Sequence, residues 1–405
     1  MPNGCNNLPT ISLFTGAGGL DLGLEEAGFE VKVAVEIDRH ARETLERNRY
    51  TFRDPGFQLF SDITQHSPAE IVSAAGLKSG QAALVAGGPP CQSFSTAGRR
   101  GSIGDPRGSL FSNFAAVVDA ARPRFFLMEN VRGILSAPIM HRPLNQRGTG
   151  DAALRPEEKA GAAFTVILDV FEGLGYQLAW GLVDAADYGV PQNRLRVIIL
   201  GSRDGEFLTR DLQDLVPPTH ADRRATLRSA LDKVNAEPPE FIPYTPERAR
   251  ILDLVPAGKN WRWFRDHPEY GPAFTARLMG GAWGSDGGKV GFFRRLSWDK
   301  PSPTLPTSPI QKSTCLCHPE ATRPLSVQEY AAIQQFPANY RFAGSTSQKY
   351  KQIGNAVPPG LGAAIGRALV TVIEGLTLTT QIRLFERGEE WVPEAQYLYP
   401  AKGTR

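Results

Sequence analysis

Two residues with neighbours suited to covalent chemistry stand at the ends of two apolar runs. Cys91 sits in Gly87-Gly88-Pro89-Pro90-Cys91-Gln92-Ser93-Phe94-Ser95, where a Pro-Pro pair stiffens the approach and polar residues follow. A lone cysteine is ordinarily a small buried hydrophobe, but these flanking residues argue against burial. At a strand end that faces helix N-termini, a thiol can be held as thiolate and act as a nucleophile. The run Arg124 to Met128 ends in Glu129-Asn130-Val131-Arg132-Gly133, which places a carboxyl in the same crevice. Taken singly, that glutamate reads equally well as a salt-bridged surface group. Further on, Gln192-Asn193-Arg194-Leu195-Arg196 opens a strand. Alternation predicts Gln192, Arg194 and Arg196 on one face, a polar row that points to anion or base recognition more than to packing.

A second constellation lies nearer the N-terminus. Phe14-Thr15-Gly16-Ala17-Gly18-Gly19-Leu20 follows the first apolar run. Glycines at a strand-to-helix turn let backbone amides approach a ligand and aim the helix N-terminus at it. A plain turn would look the same. The dinucleotide pattern GxGxxG needs glycine where Asp21 stands, which disfavours NAD. Glu36 follows the glycines by about 20 residues, the spacing at which a carboxylate can accept from both ribose hydroxyls; a solvated strand-end carboxylate is the bland alternative. After the run Phe57 to Phe60, Asp62 could take the exocyclic amine of adenine while Ile63 packs on the ring. Glycine turn, ribose acid and adenine acid in this order point to S-adenosylmethionine.

Such sites need a scaffold, and the first 200 or so residues supply one by repeating a theme of short β-rich run, Gly- or Pro-marked turn and helical stretch. The runs include Ile11 to Phe14, Val31 to Val35, Ala83 to Val85, Phe125 to Met128 and Val197 to Leu200. This alternation predicts an α/β fold, a mainly parallel sheet with helices on both faces, whose ligands sit at the carboxyl ends of the strands. From about Asp204 to Lys289 proline pairs, tryptophans and paired glycines replace that rhythm and predict a separate, loop-rich domain. Periodicity returns in Leu325 to Gln335 and in Leu361 to Leu376, the latter a helix opened by Pro358-Pro359. Ala137 to Gly161 reads as a surface insertion, and the stretch from Leu384 to Arg405 carries no usable signal.

Composition sets the outer bounds. The 405 residues are 41% hydrophobic and 21% charged, a globular balance rather than a disordered or fibrous one. No apolar run reaches the roughly 18 residues of a membrane span, and the N-terminus lacks the basic start and apolar stretch of a signal peptide. Four cysteines form no disulfide framework, so a reducing cytoplasm is expected. The net charge of +3 allows a DNA partner without arguing for one.

With these motifs assembled, the chain resembles the DNA cytosine-5 methyltransferases of bacterial restriction-modification systems. The resemblance rests on FTGAGG (14–19), EID (36–38), GGPPCQSFS (87–95), RGSLF (107–111), ENVRG (129–133), QNRLR (192–196), RRLSWDKPSPTL (294–305) and QIGNAVPP (352–359), in family order across about residues 10–375. It implies a Rossmann-like S-adenosylmethionine-dependent methyltransferase domain with a smaller inserted target-recognition domain. The catalytic domain is then discontinuous, 1–203 plus about 346–380, around a small domain at 204–345 whose stretch 204–293 reads the target; 381–405 is a tail.

The resemblance also implies a reaction: methyl transfer to carbon 5 of a cytosine flipped out of duplex DNA. Cys91 adds to carbon 6, Glu129 holds the exocyclic amine and N3, Arg196 contacts O2, and Arg194 supports the neighbouring backbone. Cofactor contacts carry over to Phe14, Gly16, Gly18, Leu20, Glu36, Ile37, Asp62, Ile63, Pro90, Leu110, Asn355 and Val357. Gln92, Ser93, Ser95, Arg99, Gln192 and Arg262 are assigned to DNA. Trp261, Trp263, Arg294 and Arg295 are further DNA candidates, although core packing is the stronger reading of the tryptophans. Ser93 to Arg107 fits a closing loop, with Gly98, Gly101 and Gly104 as hinges. No metal is required, and Cys315-Leu316-Cys317-His318 lacks the second ligand pair of a structural zinc site. The expected partners are double-stranded DNA and a cognate restriction endonuclease, with no membrane, for a monomer in the bacterial cytoplasm that associates with the nucleoid through DNA. Two rivals remain: a tRNA cytosine-5 methyltransferase of the same family, and a catalytically silent DNA-binding relative.

Overall fold

The computed structural model describes residues 7–90, 110–140, 154–234, 238–284 and 290–387, with side chains as far as 375. Seven strands form one sheet in the order β3-β2-β1-β4-β5-β7-β6: β1 (Leu8–Leu13), β2 (Phe29–Val35), β3 (Gln58–Phe60), β4 (Leu84–Gly87), β5 (Phe125–Val131), β6 (Gln177–Asp184) and β7 (Leu195–Ser202). The first five run parallel, while β7 is antiparallel to both β5 and β6. The mainly parallel α/β fold expected from the runs is present. Strand β6 was not among those runs, because Trp180 and Gly181 interrupt its apolar pattern at an edge that is only half buried.

The helices are α1 (Gly19–Ala27), α2 (Arg39–Arg47), α3 (Pro68–Ala74), α4 (Leu110–Ala121), α5 (Ala162–Gly173), α6 (Leu212–Leu215), α7 (Leu227–Leu231), α8 (Pro246–Asp253), α9 (Arg262–Asp266), α10 (Gly271–Met279), α11 (Val327–Ile333), α12 (Thr346–Asn355) and α13 (Pro359–Arg387). Their starts follow from sequence chemistry: Asp38 accepts from the amides of His40 and Ala41 at α2, and Ser67 caps α3 ahead of a first-turn proline.

Alternation along the central strands feeds two cores. Ile11, Leu13, Val85, Phe126 and Met128 pack with Phe114, Val118, Ile167 and Phe171 on one face. Leu84, Phe125, Leu127 and Ile198 pack with Leu24, Leu361, Ile365 and Leu369 on the other. The second core exists only because α13 returns to α1. Glycines let the two backbones touch: Gly23 lies against the Pro359 carbonyl, and an added Cβ on Gly362 would sit 2.7 Å from Leu20 O. Gly23→Ala is expected to destabilise the protein by about 3 kcal/mol, read as a lower midpoint in urea unfolding.

The stretch Thr346–Gly375 is long and apolar enough on composition to pass for a membrane span, which the sequence reading did not register. Most of it is buried inside the molecule, as a core helix would be. A third core joins Leu227, Leu296, Leu305, Leu316, Leu325, Tyr330 and Ile333 to Tyr350 and Ile353 of α12 and to Ala17. The loop-rich region and the glycine turn therefore share one apolar seam. Ala163 N–H donates to Ala137 O at 3.1 Å, joining the start of α5 to the residues that follow β5.

Candidate active site

The strand order changes direction at β1: the chain builds β2 and β3 to one side, then returns to place β4 on the other. Open α/β sheets bind ligands at such a reversal, outside the carboxyl ends of the strands on either side of it, here β1 and β4. The turn after β1 requires unusual backbone. Phe14, Gly16 and Gly18 have φ of 55°, 59° and 80°, and Gly18 is the N-cap of α1. A Cβ added to Gly16 would meet nothing within 4 Å, so the turn faces open space there. From behind, Tyr340 donates its hydroxyl to Ala17 O at 2.7 Å.

Glu36, at the end of β2, is buried and binds the turn. Its carboxylate accepts from Gly16 N and Asp38 N, both at 2.7 Å. Burial raises its pKa, partly offset by those two amides. Next to it Ile37 is 69% exposed, an unusual apolar side chain at a strand end. Asp62 caps a single helical turn through Thr64, whose amide and hydroxyl hold its pKa down. Ile63 is buried in the sheet core and Leu20 in the α1–α13 core. Asn355 is exposed at the end of α12, and the Val357 carbonyl lies against Gly19, so the turn 355–357 adjoins the glycine turn. Leu110 packs at the start of α4.

Beneath the turn, Ser12 Oγ donates to Asp21 Oδ1 at 2.7 Å and lies 2.9 Å from Thr15 Oγ1. Burial pushes Asp21 up to about 7 against the lowering effect of Ser12, and Asp21 Oδ2 has no partner among the described residues. Because this folded-state pKa lies above the ordinary 3.8, the native state binds the extra proton. The associated stability is complete at acid pH and is lost as pH rises through about 7. Asp21→Asn keeps the Ser12 bond and removes the charge. It is expected to match the wild type near pH 4 and exceed it by on the order of 2 kcal/mol near pH 8, as read from urea midpoints across that range. Glu25, also raised by burial to about 7, retains its own share of the slope.

At the end of β5 the register pairs Val131 with Arg196 of β7. Glu129, two residues earlier, therefore projects on the same face as Arg196. Arg196 Nε lies 2.6 Å from Glu129 Oε1, an ion pair of two largely buried groups whose N–H is not aligned as a hydrogen bond. The carboxyl rests directly over Gly88, where an added Cβ would come within 2.8 Å of Glu129 Oε2. Asn130 secures the neighbouring turn, donating from Nδ2 to Pro89 O at 3.0 Å. The strand end that leads to Pro90 and the carboxyl of Glu129 are thus in contact.

Cys91, Gln92, Ser93, Ser95 and Arg99 lie outside the described residues, as does the rest of the expected closing loop to Arg107. The polar row expected at 192–196 differs from its alternating form, because β7 begins only at Leu195. Gln192 and Arg194 face the interior and are fully buried. Arg194 donates from Nη2 to Gly354 O at 2.9 Å, and its backbone amide reaches Asp184 at 2.7 Å. Burial and the neighbouring Arg196 lower its pKa to about 9, with Glu129 opposing.

Arg262 is exposed, with its guanidinium 5.6 Å from the Trp261 ring centre. It lines a surface cavity of about 360 Å³ with Lys259, Asn260, Trp263, Asp266 and His267. Trp261 is buried against Trp283. Arg295, expected to reach DNA, is instead buried and donates to His318 O, Glu320 O, Leu252 O and Thr322 Oγ1; it knits the small region together. Cys315 and Cys317 are buried, with Cys315 Sγ 3.4 Å from the Tyr244 hydroxyl. Asn130, Gly88 and Tyr340 escaped the sequence reading as site builders. Asn130 at least lay within a recognised motif, whereas Tyr340 gave no signal 323 positions from its partner.

Comparison with known proteins identifies the family and the fold. Residues 8–371 match the family model described as C-5 cytosine-specific DNA methylase. The chain is 36% identical over 365 residues to the Type II methyltransferase M.Sau96I of Staphylococcus aureus, covering 88% of this chain and 74% of that protein. It is 38% identical over 380 residues to M.Eco47II of Escherichia coli, covering 91% and 80%. Among solved structures, a prophage-encoded E. coli protein superposes with a TM-score of 0.63 at 22% identity, covering 91% of this chain and 99% of that one. A Spodoptera frugiperda DNMT2 mutant gives 0.55 at 17%, covering 89% and 99%. At these identities the structural matches speak for the fold.

Proposed function

Since the chain belongs to the C-5 cytosine-specific DNA methylases and is thereby a DNA (cytosine-5-)-methyltransferase of the Type II kind, we propose that it modifies a cytosine flipped out of a specific duplex sequence through a covalent Cys91 adduct. The observation that carries this reading is the Glu129–Arg196 pair seated over Gly88, three residues before Cys91.

Carbon 5 of cytosine is a weak nucleophile, and the chain's own residues can change that. The Cys91 thiolate forms a bond to carbon 6, and the ring's electron pair moves toward carbon 5. Glu129 holds the exocyclic amine and N3 and shares the proton that balances the added charge. Arg196, held against Glu129, is placed to donate to O2. After transfer, a solvent-borne base takes the carbon-5 proton, the C5–C6 double bond reforms, and the C6–S electron pair returns to Cys91 as thiolate. Arg194, wholly buried, acts as a positioning residue through Gly354. Flipping costs a few kcal/mol of unstacking, and the basic stretch 93–107, with the 204–293 region, supplies contacts to offset it. Arg262 stands on that second surface.

The residues also fit S-adenosylmethionine. The open space over Gly16 and the exposed Ile37 beside buried Glu36 lie at the β1 and β2 ends, with half-exposed Asp62 after β3. The family resemblance adds Phe14, Gly18, Leu20, Ile63, Pro90, Leu110, Asn355 and Val357, of which Leu20, Ile63 and Val357 are buried in the cores. When bound, this cofactor supplies the electrophilic methyl group.

By analogy with its Type II relatives, the protein protects host DNA from a cognate endonuclease. Bisulfite sequencing of DNA from a host expressing the protein is expected to reveal methylated cytosines within one short sequence. Wholly unmodified DNA, or tritiated methyl transfer into tRNA rather than duplex DNA, would overturn the reading.

A further inference from the structure

We propose that Gln334 is a positioning residue that ties the turn 353–357 to the segment 192–196, so that the cofactor side and the base side of the site are held as one unit. This rests on the proposed roles of those two segments.

Three chain segments meet at Gln334, and the contacts fix the polarity of its amide. Gln334 is fully buried. Its Nε2 donates to Ile353 O at 2.6 Å and Ala356 O at 3.0 Å, while its Oε1 accepts from Gln192 Nε2 at 2.7 Å. Gln192 in turn accepts through Oε1 from Leu305 N at 2.9 Å. Between the two carbonyls captured by Gln334, that of Gly354 is taken by Arg194. Gly354 itself packs so closely on the 305–307 strip that an added Cβ would lie 2.6 Å from Pro306 O. The carbonyls of residues 353, 354 and 356 are thus bound by two side chains, one on the base-side segment and one bonded to it. The backbone that aims Gln334 inward is itself unusual: Gln335, next in sequence, has φ of 66° and donates to Gly189 O at 2.9 Å.

Each bond is buried, so losing one partner strands the other without water to replace it. The chain from Gln192 to Ala356 therefore carries displacement rather than absorbing it. Among the described residues Gln192 hydrogen-bonds none of those assigned to the cofactor, yet it should influence cofactor affinity through Gln334.

The test is calorimetric titration with S-adenosylhomocysteine, without DNA. Gln334→Leu is expected to weaken binding about tenfold and Gln192→Leu about fivefold, the scale of one buried hydrogen bond. The double variant should be no weaker than Gln334→Leu, because both singles break the same link. A loss of stability alone would move the thermal midpoint without producing this non-additivity in Kd. Should the leucine variant fail to fold, isosteric Gln334→Glu preserves the volume and sets a carboxylate oxygen against two carbonyls, and weaker binding is again expected. Wild-type affinity in Gln192→Leu, or losses that add in the double variant, would overturn the proposal. Failure of the wild type to bind S-adenosylhomocysteine would instead count against the cofactor assignment.

Discussion

Cys91→Ala is expected to reduce methyl incorporation into duplex DNA to background, a loss of about 10⁴-fold or more. The reason is specific: without a sulfur to add at carbon 6, the ring has no route to a nucleophilic carbon 5, and positioning alone cannot supply one. Binding of S-adenosylhomocysteine and the thermal midpoint should stay at wild-type values, because Gly16, Glu36 and Ile37 belong to other strand ends. Tritium transfer from labelled cofactor measures the first quantity, and calorimetry the others. A variant that methylated at the wild-type rate would remove the basis of the proposed chemistry.

Glu129→Ala carries the second-largest effect, and it acts twice. It removes the group proposed to hold the cytosine amine and N3, for which a loss of about 10³-fold in turnover is expected. It also leaves Arg196 without its ion-pair partner beside a second buried guanidinium, Arg194. Breaking a buried pair from one side costs about 3 kcal/mol, so the variant should unfold at lower urea as well. Glu129→Gln keeps the volume over Gly88 and some hydrogen-bonding capacity, and should lose turnover with a smaller loss of stability. Wild-type turnover and stability in Glu129→Gln would show that the carboxylate charge does not matter at this position.

The parts legible in the sequence were those in which local chemistry and structural role coincide. The strand β1 and the glycine turn were readable because left-handed backbone at Gly16 and Gly18 demands glycine. Glu36 was readable from its spacing, though it spends its carboxylate on Gly16 and Asp38 amides. Glu129 was readable as a strand-end acid. What escaped depends on distant partners. Arg295 looks in sequence like any cation near DNA, and only the loops around it show that its donors are consumed by carbonyls. Gln192 looked like a base reader because a period of two ignores where the strand begins. Gln334 gave no signal, since its partner in the base-side segment lies 142 positions away.

The glycine-mediated contact between α1 and α13 has a consequence for how the protein is made. Translation delivers the first helix some 340 residues ahead of the one that covers it. For most of its synthesis the emerging polypeptide therefore carries Leu20 and Leu24 without their final cover. N-terminal folding during translation can build strands β1 to β5, but the core shared by α1 and α13 is completed only when the last described helix has emerged. A transcript cut short by even a tenth of its length yields a product that is not a slightly weaker enzyme but an unfinished one.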